Sequence, residues 1–223
     1  CANCTIHGNV IGPYQTGSCI GLGVDWGASN NSICNNTIYK CSSFGAHIDG
    51  ANGAFSGNQL RNNIIKDCGS GLYDSANVTH SNNMLHGIAS QPFSGTVPGP
   101  GDTDGVDPML VNPDGGNFAL QAGSPAIEGG AYTGLPFNGS WPDIGAVESS
   151  GTPHTGATGA VSGTVRVQGV ALAGASVTAG PRDNCTAATA ADGTYTLPSV
   201  PTGTVPIKAS KAGYTTAQRS VAV

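Results

Sequence analysis

Three aspartates, Asp25, Asp49 and Asp74, each close a short alternating segment, and they recur at intervals of 24 and 25 residues. The segments are Gly21-Leu22-Gly23-Val24-Asp25, Gly45-Ala46-His47-Ile48-Asp49 and Gly71-Leu72-Tyr73-Asp74. Stacked carboxylates repel unless a cation or sugar hydroxyls intervene, or one of them is protonated. Such a column could hold Ca²⁺ or supply the acid and base of glycoside cleavage. The plainer reading is that an Asp after a strand caps the turn. Matching the glycines instead moves Asp74 by one place and brings Ser75 into the column, and a one-residue slip reverses the face on which a side chain projects. A second acidic run, Asp102-Thr103-Asp104-Gly105-Val106-Asp107, alternates oxygen ligands at Asp102, Asp104 and Asp107 in the manner of a Ca²⁺ loop. It lacks the later Glu of the full signature and also reads as an Asp-Gly turn.

The seven cysteines are Cys1, Cys4, Cys19, Cys34, Cys41, Cys68 and Cys185. Six fall in the first third of the chain, as a disulfide-permitting compartment would allow, or as small buried apolar side chains. Cys1-Ala2-Asn3-Cys4 is a C-x-x-C without the adjacent His of haem attachment or two further zinc ligands. His7, His47, His80 and His86 have no paired nucleophile in the sequence and read as surface residues. Tyr14, Trp26, Tyr39, Phe44 and Tyr73 could stack on sugar rings if they share a face. No G-x-S-x-G and no phosphate-cradling Gly-Lys pair occurs. No cofactor is assigned beyond Ca²⁺ as a candidate.

These residues need short, closely spaced elements to hold them. Charged side chains make up 9% of the 223 residues, against roughly 25% in ordinary globular chains. Glycine contributes 35 residues and proline 14. Eight basic side chains and a net charge of −5 leave no polybasic stripe, which excludes nucleic acid as the expected partner. No apolar run approaches the ~20 residues of a membrane span. An Asn-rich phrase recurs at Asn3-Cys4-Thr5-Ile6-His7, Asn35-Asn36-Thr37-Ile38-Tyr39, Asn62-Asn63-Ile64-Ile65-Lys66 and Asn82-Asn83-Met84-Leu85-His86. A unit that cannot bury its apolar face alone does so by stacking on its neighbours. Strands of successive coils would then pair in parallel, with Asn36 over Asn63 as an amide ladder. Cys41 and Cys68 hold matching places and could form a disulfide or a sulfur stack.

The N-x-I and N-N-T-I turns resemble the right-handed parallel β-helix family, which includes pectate-lyase-like carbohydrate-active proteins. The succession from Asp107-Pro108-Met109-Leu110-Val111-Asn112-Pro113 through Gly123-Ser124-Pro125-Ala126-Ile127 to Asp143-Ile144-Gly145-Ala146-Val147-Glu148 resembles the C-terminal section of secreted bacterial members. The resemblance implies an all-β fold, with a parallel β-helix and its capping segment over 1–148. A lyase of this fold would place a Lys or Arg base near an acidic Ca²⁺ cluster, and the coils offer Lys40, Arg61 and Lys66. Residues 149–160 read as a small-residue linker. From 161 to 223, alternating strands punctuated by Asp-Gly and Pro-containing turns predict a small antiparallel β-sandwich. The run from Gly163 to Tyr214 resembles the carboxypeptidase-regulatory-like (prealbumin-like) module, which is not itself catalytic.

The first coil starts abruptly at Cys1, so the sequence leads us to expect an open end that another copy of the chain covers. The strand-like Ser220-Val221-Ala222-Val223 offers a second edge. The expectation is an extracellular or cell-surface structural, adhesive subunit that self-associates into a fibre or layer without catalysis. The alternatives are a fragment of a polysaccharide lyase or glycoside hydrolase, with Asp25, Asp49 and Asp74 in its cleft, and a non-catalytic carbohydrate-binding surface protein. The disulfide candidates are Cys41 and Cys68, with Cys1, Cys4, Cys19 and Cys34.

Overall fold

Three-residue strands separated by Asn and Gly corners dominate the first two-thirds of the chain. The computed structural model describes residues 2–14, 16–24, 28–50, 56–76, 78–154, 157–181 and 183–223. Among them the protein is all-β, its one helical piece being a three-residue 3₁₀ turn at Pro113–Gly115. The chain divides into two compact units, Cys1–Thr133 with Pro142–Ser150, and Gly134–Trp141 with Gly151–Val223.

In the first unit, three short parallel sheets take one strand from each successive coil. The first contains Thr5–His7, Ser32–Cys34, Gln59–Arg61 and Thr79–Ser81. The second contains Val10–Ile11, Thr37–Tyr39, Ile64–Lys66, Met84–His86 and Thr103–Asp104. Leu22–Val24, Phe44–Ile48, Ser70–Asp74 and Phe93–Ser94 form the third. Inward side chains stack from coil to coil, so Ile33 sits over Leu60 and Ile38 over Ile65, with Leu22, Ala46 and Leu72 in line in the third sheet. These residues and Leu85 form one buried apolar column.

The sheets stay short because the chain turns sharply after every strand, and the turn has a fixed chemistry. Asn35, Asn62 and Asn82 have φ of 53°, 55° and 54°, the left-handed region that Asn tolerates better than most residues. Gly101, at φ 75°, takes the same position in the next coil. The residue after each corner points inward and is polar: Asn36, Asn63, Asn83, Asp102. Their amides stack, Asn36 Nδ2 donating to Asn63 Oδ1 at 3.0 Å, Asn63 Nδ2 to Asn83 Oδ1 at 2.9 Å and Asn83 Nδ2 to Asp102 Oδ1 at 3.0 Å. Asn9 begins the column by donating to Asn36. A second corner repeats the device with Asn30 and Gly57, followed by Asn31 and Asn58, whose amides bond at 2.9 Å. At a third corner, Lys40, Asp67 and Gly87 are left-handed, and Cys41 and Cys68 follow inside.

The Asn-led phrases resolve into two of these sheets. Thr5–His7 pairs with Ser32–Cys34, so Asn3 aligns with Asn30, and Gly8 with Asn35. The apparent first interval thus spans two different corners. On the second sheet lies a cluster of Ile64, Met84, Leu110, Ala126 and Ile144, with Phe118 and Leu120 packed beside it. The Asp143 carboxylate is buried and accepts the Glu128 N–H at 2.7 Å, tying 142–150 to the loop before it.

The second unit is built from antiparallel pairs. Thr158–Thr164 pairs with Thr194–Pro201, and Cys185–Ala188, Ser176–Ala179, Thr204–Ser210 and Ala217–Ala222 form a four-stranded sheet in that order. Val161, Val177, Leu197, Val200, Val205 and Ile207 make its core together with Trp141. Within the segment 149–160, Pro153–His154 pairs with Phe137–Asn138, and Thr158 already belongs to a strand. The stretch carries ladder hydrogen bonds, and Trp141 packs with the sandwich.

Asn63 is the sharpest test of the stacking. Its oxygen accepts both the backbone N–H and the amide of Asn36. Asn63→Ala strands the buried Asn36 N–H, worth about 1–3 kcal/mol when unpaired, and removes the amide's own bonds to Ile33 O, Arg61 O and Asn83. The expected loss is about 3 kcal/mol or more in urea unfolding followed by circular dichroism. A change below about 1 kcal/mol would contradict the ladder's role.

Candidate functional site

The outward face of the third sheet collects aromatic side chains because its strands stack in register. His47 pairs with Tyr73 across Phe44–Ile48 and Ser70–Asp74. Their rings lie 4.6 Å apart and 14° from parallel. Phe44 meets His47 edge-on at 5.0 Å and Tyr73 at 5.7 Å. All three are half-buried. Beside them the Ser75 hydroxyl donates to Asp49 Oδ1 at 3.0 Å. Gly23 is level with His47, and a Cβ there would meet no described residue within 4 Å. The stacked His47 and Tyr73 rings, with a carboxylate and a hydroxyl nearby, offer apolar and polar contacts of the kind that the CH groups and hydroxyls of a sugar ring make.

The aspartate column follows the glycine-matched register. Ile48 pairs with Asp74, so Asp49 lies level with Ser75. Asp74 points inward and is 1% exposed, its two oxygens accepting the N–H groups of Ala76 at 2.8 Å and Val78 at 2.9 Å. Asp49 and Asp74 therefore do not share a face, and the acid–base pair expected of them is not formed. The cause is that Asp49 lies four residues after Gly45 and Asp74 only three after Gly71, a difference of one place that the pleat converts into opposite directions. Asp25 and Trp26 lie outside the described residues. Of the other aromatic candidates, Tyr39 is buried against Phe118 and Tyr14 stands apart on the surface, paired in a bridge to Cys41.

The Ca²⁺ candidates are dispersed. Asp102 is the last rung of the amide ladder, its side chain fully buried and its oxygens engaged by Asn83, Gly99 and His80. Asp104 is exposed on the strand beside Leu85. Asp107 faces Lys66 and His86 at 3.6 and 3.8 Å. Burial pushes the Asp107 carboxyl up, but the Met109 N–H and the neighbouring Lys66 and His86 outweigh it and hold it below the ordinary value. Among the described residues no three His, Cys, Asp or Glu side chains converge as a metal site. Two of the candidate bases, Lys40 and Lys66, are engaged too, while the buried Arg61 Nε has no hydrogen-bond partner among the described residues. Lys40 pairs with Asp114, whose hydrogen bond raises the ammonium to about 12, so it stays protonated at neutral pH. Lys66 donates to His86 Nδ1 at 2.9 Å.

The described cysteines are free thiols. Of the two alternatives for Cys41 and Cys68, the structure has the stack: the Cys41 N–H donates to Cys68 Sγ at 3.4 Å. A hydrogen bond from Cys41 lowers the Cys68 thiol and raises its own donor. Burial, then the charge of Cys41, push the Cys19 thiol up. Cys4 and Cys34 make separate contacts, to Ala2 O and from the Ser32 hydroxyl, and burial raises the Cys34 thiol. Cys1 lies outside the described residues.

Sequence reasoning assigned His80 to the surface, and the structure corrects this. His80 is 6% exposed and stands in the inward position held by Leu60 in the coil before. Its Nδ1 lies 2.5 Å from Asp102 Oδ2 and its Nε2 3.0 Å from the Thr96 hydroxyl. The polar environment arrives from 16 and 22 residues downstream, and no local spacing announces it. In the second unit, a hollow of about 410 Å³ opens over Val177 and Ile207, with Tyr195, Arg166 and Arg219 among its walls.

The opposite orientations of Asp49 and Asp74 separate in measurement. Asp74→Ala is expected to lower stability by about 2 kcal/mol or more, because it strands two N–H groups. Asp49→Ala should stay within about 1 kcal/mol of the parent. Equal losses in chemical denaturation would refute this assignment of faces. In timed iodoacetamide labelling of the native protein, half-exposed Cys4 and Cys19 should react before the buried Cys34, Cys41 and Cys68. Early labelling of Cys68 would contradict the stack.

No helix among the described residues is long and apolar enough to cross a membrane. Comparison of the chain with curated proteins and with solved structures returned no match. Residues 160–223 match the carboxypeptidase regulatory-like domain family, and the C-terminal sandwich is a domain of that kind.

Proposed function

We propose that the chain is an extracellular adhesive protein in which a right-handed parallel β-helix presents a polysaccharide-binding face and the carboxypeptidase regulatory-like domain is an accessory module. The β-helix reading is supported by three parallel sheets that share one coil sequence and by left-handed corners that repeat from coil to coil. The glycan reading rests on one observation, the parallel His47 and Tyr73 rings with Phe44 beside them. Sugar rings present apolar CH faces that stack on aromatic surfaces, and their hydroxyls bond to groups such as Asp49 and Ser75. Holding a glycan this way needs no bond cleavage. The cleft reading of a lyase or hydrolase required Asp49 and Asp74 on one side, and they project to opposite sides.

A second reading, self-association, is favoured by the strand Ala217–Ala222. It pairs with Thr204–Ser210 on one side, and five of its six residues are exposed. A second copy adding its own strand there would complete the ladder.

Glycan-array binding followed by calorimetry tests the first reading. Tyr73→Ala should weaken binding about tenfold, the equivalent of one lost aromatic contact. Gly23→Val, which meets no described neighbour, should weaken it while leaving stability intact. A panel of neutral and acidic polysaccharides that all fail to bind would sink the proposal. So would affinity that survives loss of both Tyr73 and His47. Sedimentation across a concentration series tests the second reading, with a monomer at every concentration as the contrary result.

A further inference from the structure

We propose that Thr96, His80 and Asp102 form an acyl-transfer triad in which the Thr96 hydroxyl is the nucleophile. This inference is independent of the glycan-binding face, which lies on other residues. It begins from a count of protons. The Asp102 carboxylate only accepts hydrogen bonds. Its Oδ1 takes the Asn83 backbone N–H at 2.7 Å and the Asn83 amide at 3.0 Å. Its Oδ2 takes the Gly99 N–H at 2.8 Å and faces His80 Nδ1 at 2.5 Å. The proton of a neutral His80 must therefore sit on Nδ1. Nε2 is left with its lone pair, and the group 3.0 Å from it is the Thr96 hydroxyl. Thr96 O–H donates to Nε2, which is the arrangement of nucleophile, general base and orienting carboxylate found in hydroxyl-dependent acyl transfer.

The surroundings fix this geometry. Asp102 cannot swing away, because it is a rung of the ladder. His80 is buried in a core position, with the Phe93 ring 6.1 Å away and 22° from parallel. The bend over the imidazole is closed by Gly99, where a Cβ would lie 2.0 Å from the His80 carbonyl oxygen and 3.0 Å from Nδ1. Thr96 is half-exposed, so its hydroxyl joins a shielded base to the surface. The ligand class that suits a lone activated hydroxyl is an acyl ester. Thr96 Oγ bonds to the ester carbonyl carbon as its proton passes to Nε2. The bond from that carbon to the alcohol oxygen then breaks, and the departing alcohol takes the proton from Nε2. The products are a Thr96 ester, the free alcohol and neutral His80, and water can reverse the sequence to release the acid.

The full chain incubated with p-nitrophenyl acetate provides the test. We expect one acetyl group, mapped by peptide mass spectrometry to Thr96, with a matching burst of p-nitrophenol. Thr96→Val, nearly isosteric at a half-exposed site, should abolish that label, and Thr96→Ser should retain it. Asp102→Asn should keep the column, since Asn occupies the preceding rungs. It also presents an amide N–H to Nδ1, which moves the histidine proton to Nε2 and removes the base. Labelling should then fall by about a hundredfold or more. Imidazole added to His80→Gly should restore part of the rate, which a purely structural histidine would not allow. Acetylation confined to other residues, an unchanged label in Thr96→Val, or an unchanged rate in Asp102→Asn would each overturn the proposal.

Discussion

The first unit depends on a pairing of backbone conformation with a buried amide. A residue in the left-handed region turns the chain, and the next side chain is carried into the interior. An unpaired amide there would cost a few kcal/mol. The amide's partners are the equivalent side chain of the next coil and carbonyl oxygens of its own coil or the one before. Each rung therefore needs its neighbours, and none of the coils is stable alone. The corner tolerates large differences in what lies between rungs. The separation is 27 residues from Asn36 to Asn63, 20 from Asn63 to Asn83 and 19 from Asn83 to Asp102. Loops absorb the difference, while the hydrogen bonds stay at 2.9 to 3.0 Å.

Much of this was legible in the residues. The Asn-Asn pairs marked both the corner and the rung, and the equivalence of Cys41 with Cys68 followed from their place after matching strands. The all-β class and the C-terminal module were readable from alternation and turn chemistry. The first sheet was not, because its strands Ser32–Cys34, Gln59–Arg61 and Thr79–Ser81 share only one inward residue each. Two apolar positions per coil looked like the whole pattern. Asp102 was hidden for a related reason. Gly101-Asp102 plays the part of Asn-Asn with neither residue the same, so an acidic-loop reading competed with the ladder. Trp141 was hidden by sequence distance, since it precedes the sandwich whose core it joins.

Chemical character in this molecule is decided by direction more than by residue type. Asp49 and Asp74 differ by one place in register, and one becomes a surface acceptor while the other closes a turn. His47 and His80 divide in the same way, one stacked on an outer face and the other sealed beneath a glycine bend. With charged residues at 9% of the chain, few carboxylates or ammonium groups remain uncommitted to backbone or ion-pair partners. The aromatic face of the third sheet is thereby the part of the first unit where several ring surfaces gather without being absorbed into the core.

The amide column also has a sense of travel. Every carboxamide from Asn9 onward hands its N–H forward, and the last recipient is a carboxylate with no N–H of its own to pass on. Asp102 is thus a terminator written in hydrogen-bond grammar. Gene duplication or protein engineering could add further Asn rungs upstream of it and extend the column, whereas a rung grafted downstream would find nothing to inherit and would need a different kind of seam.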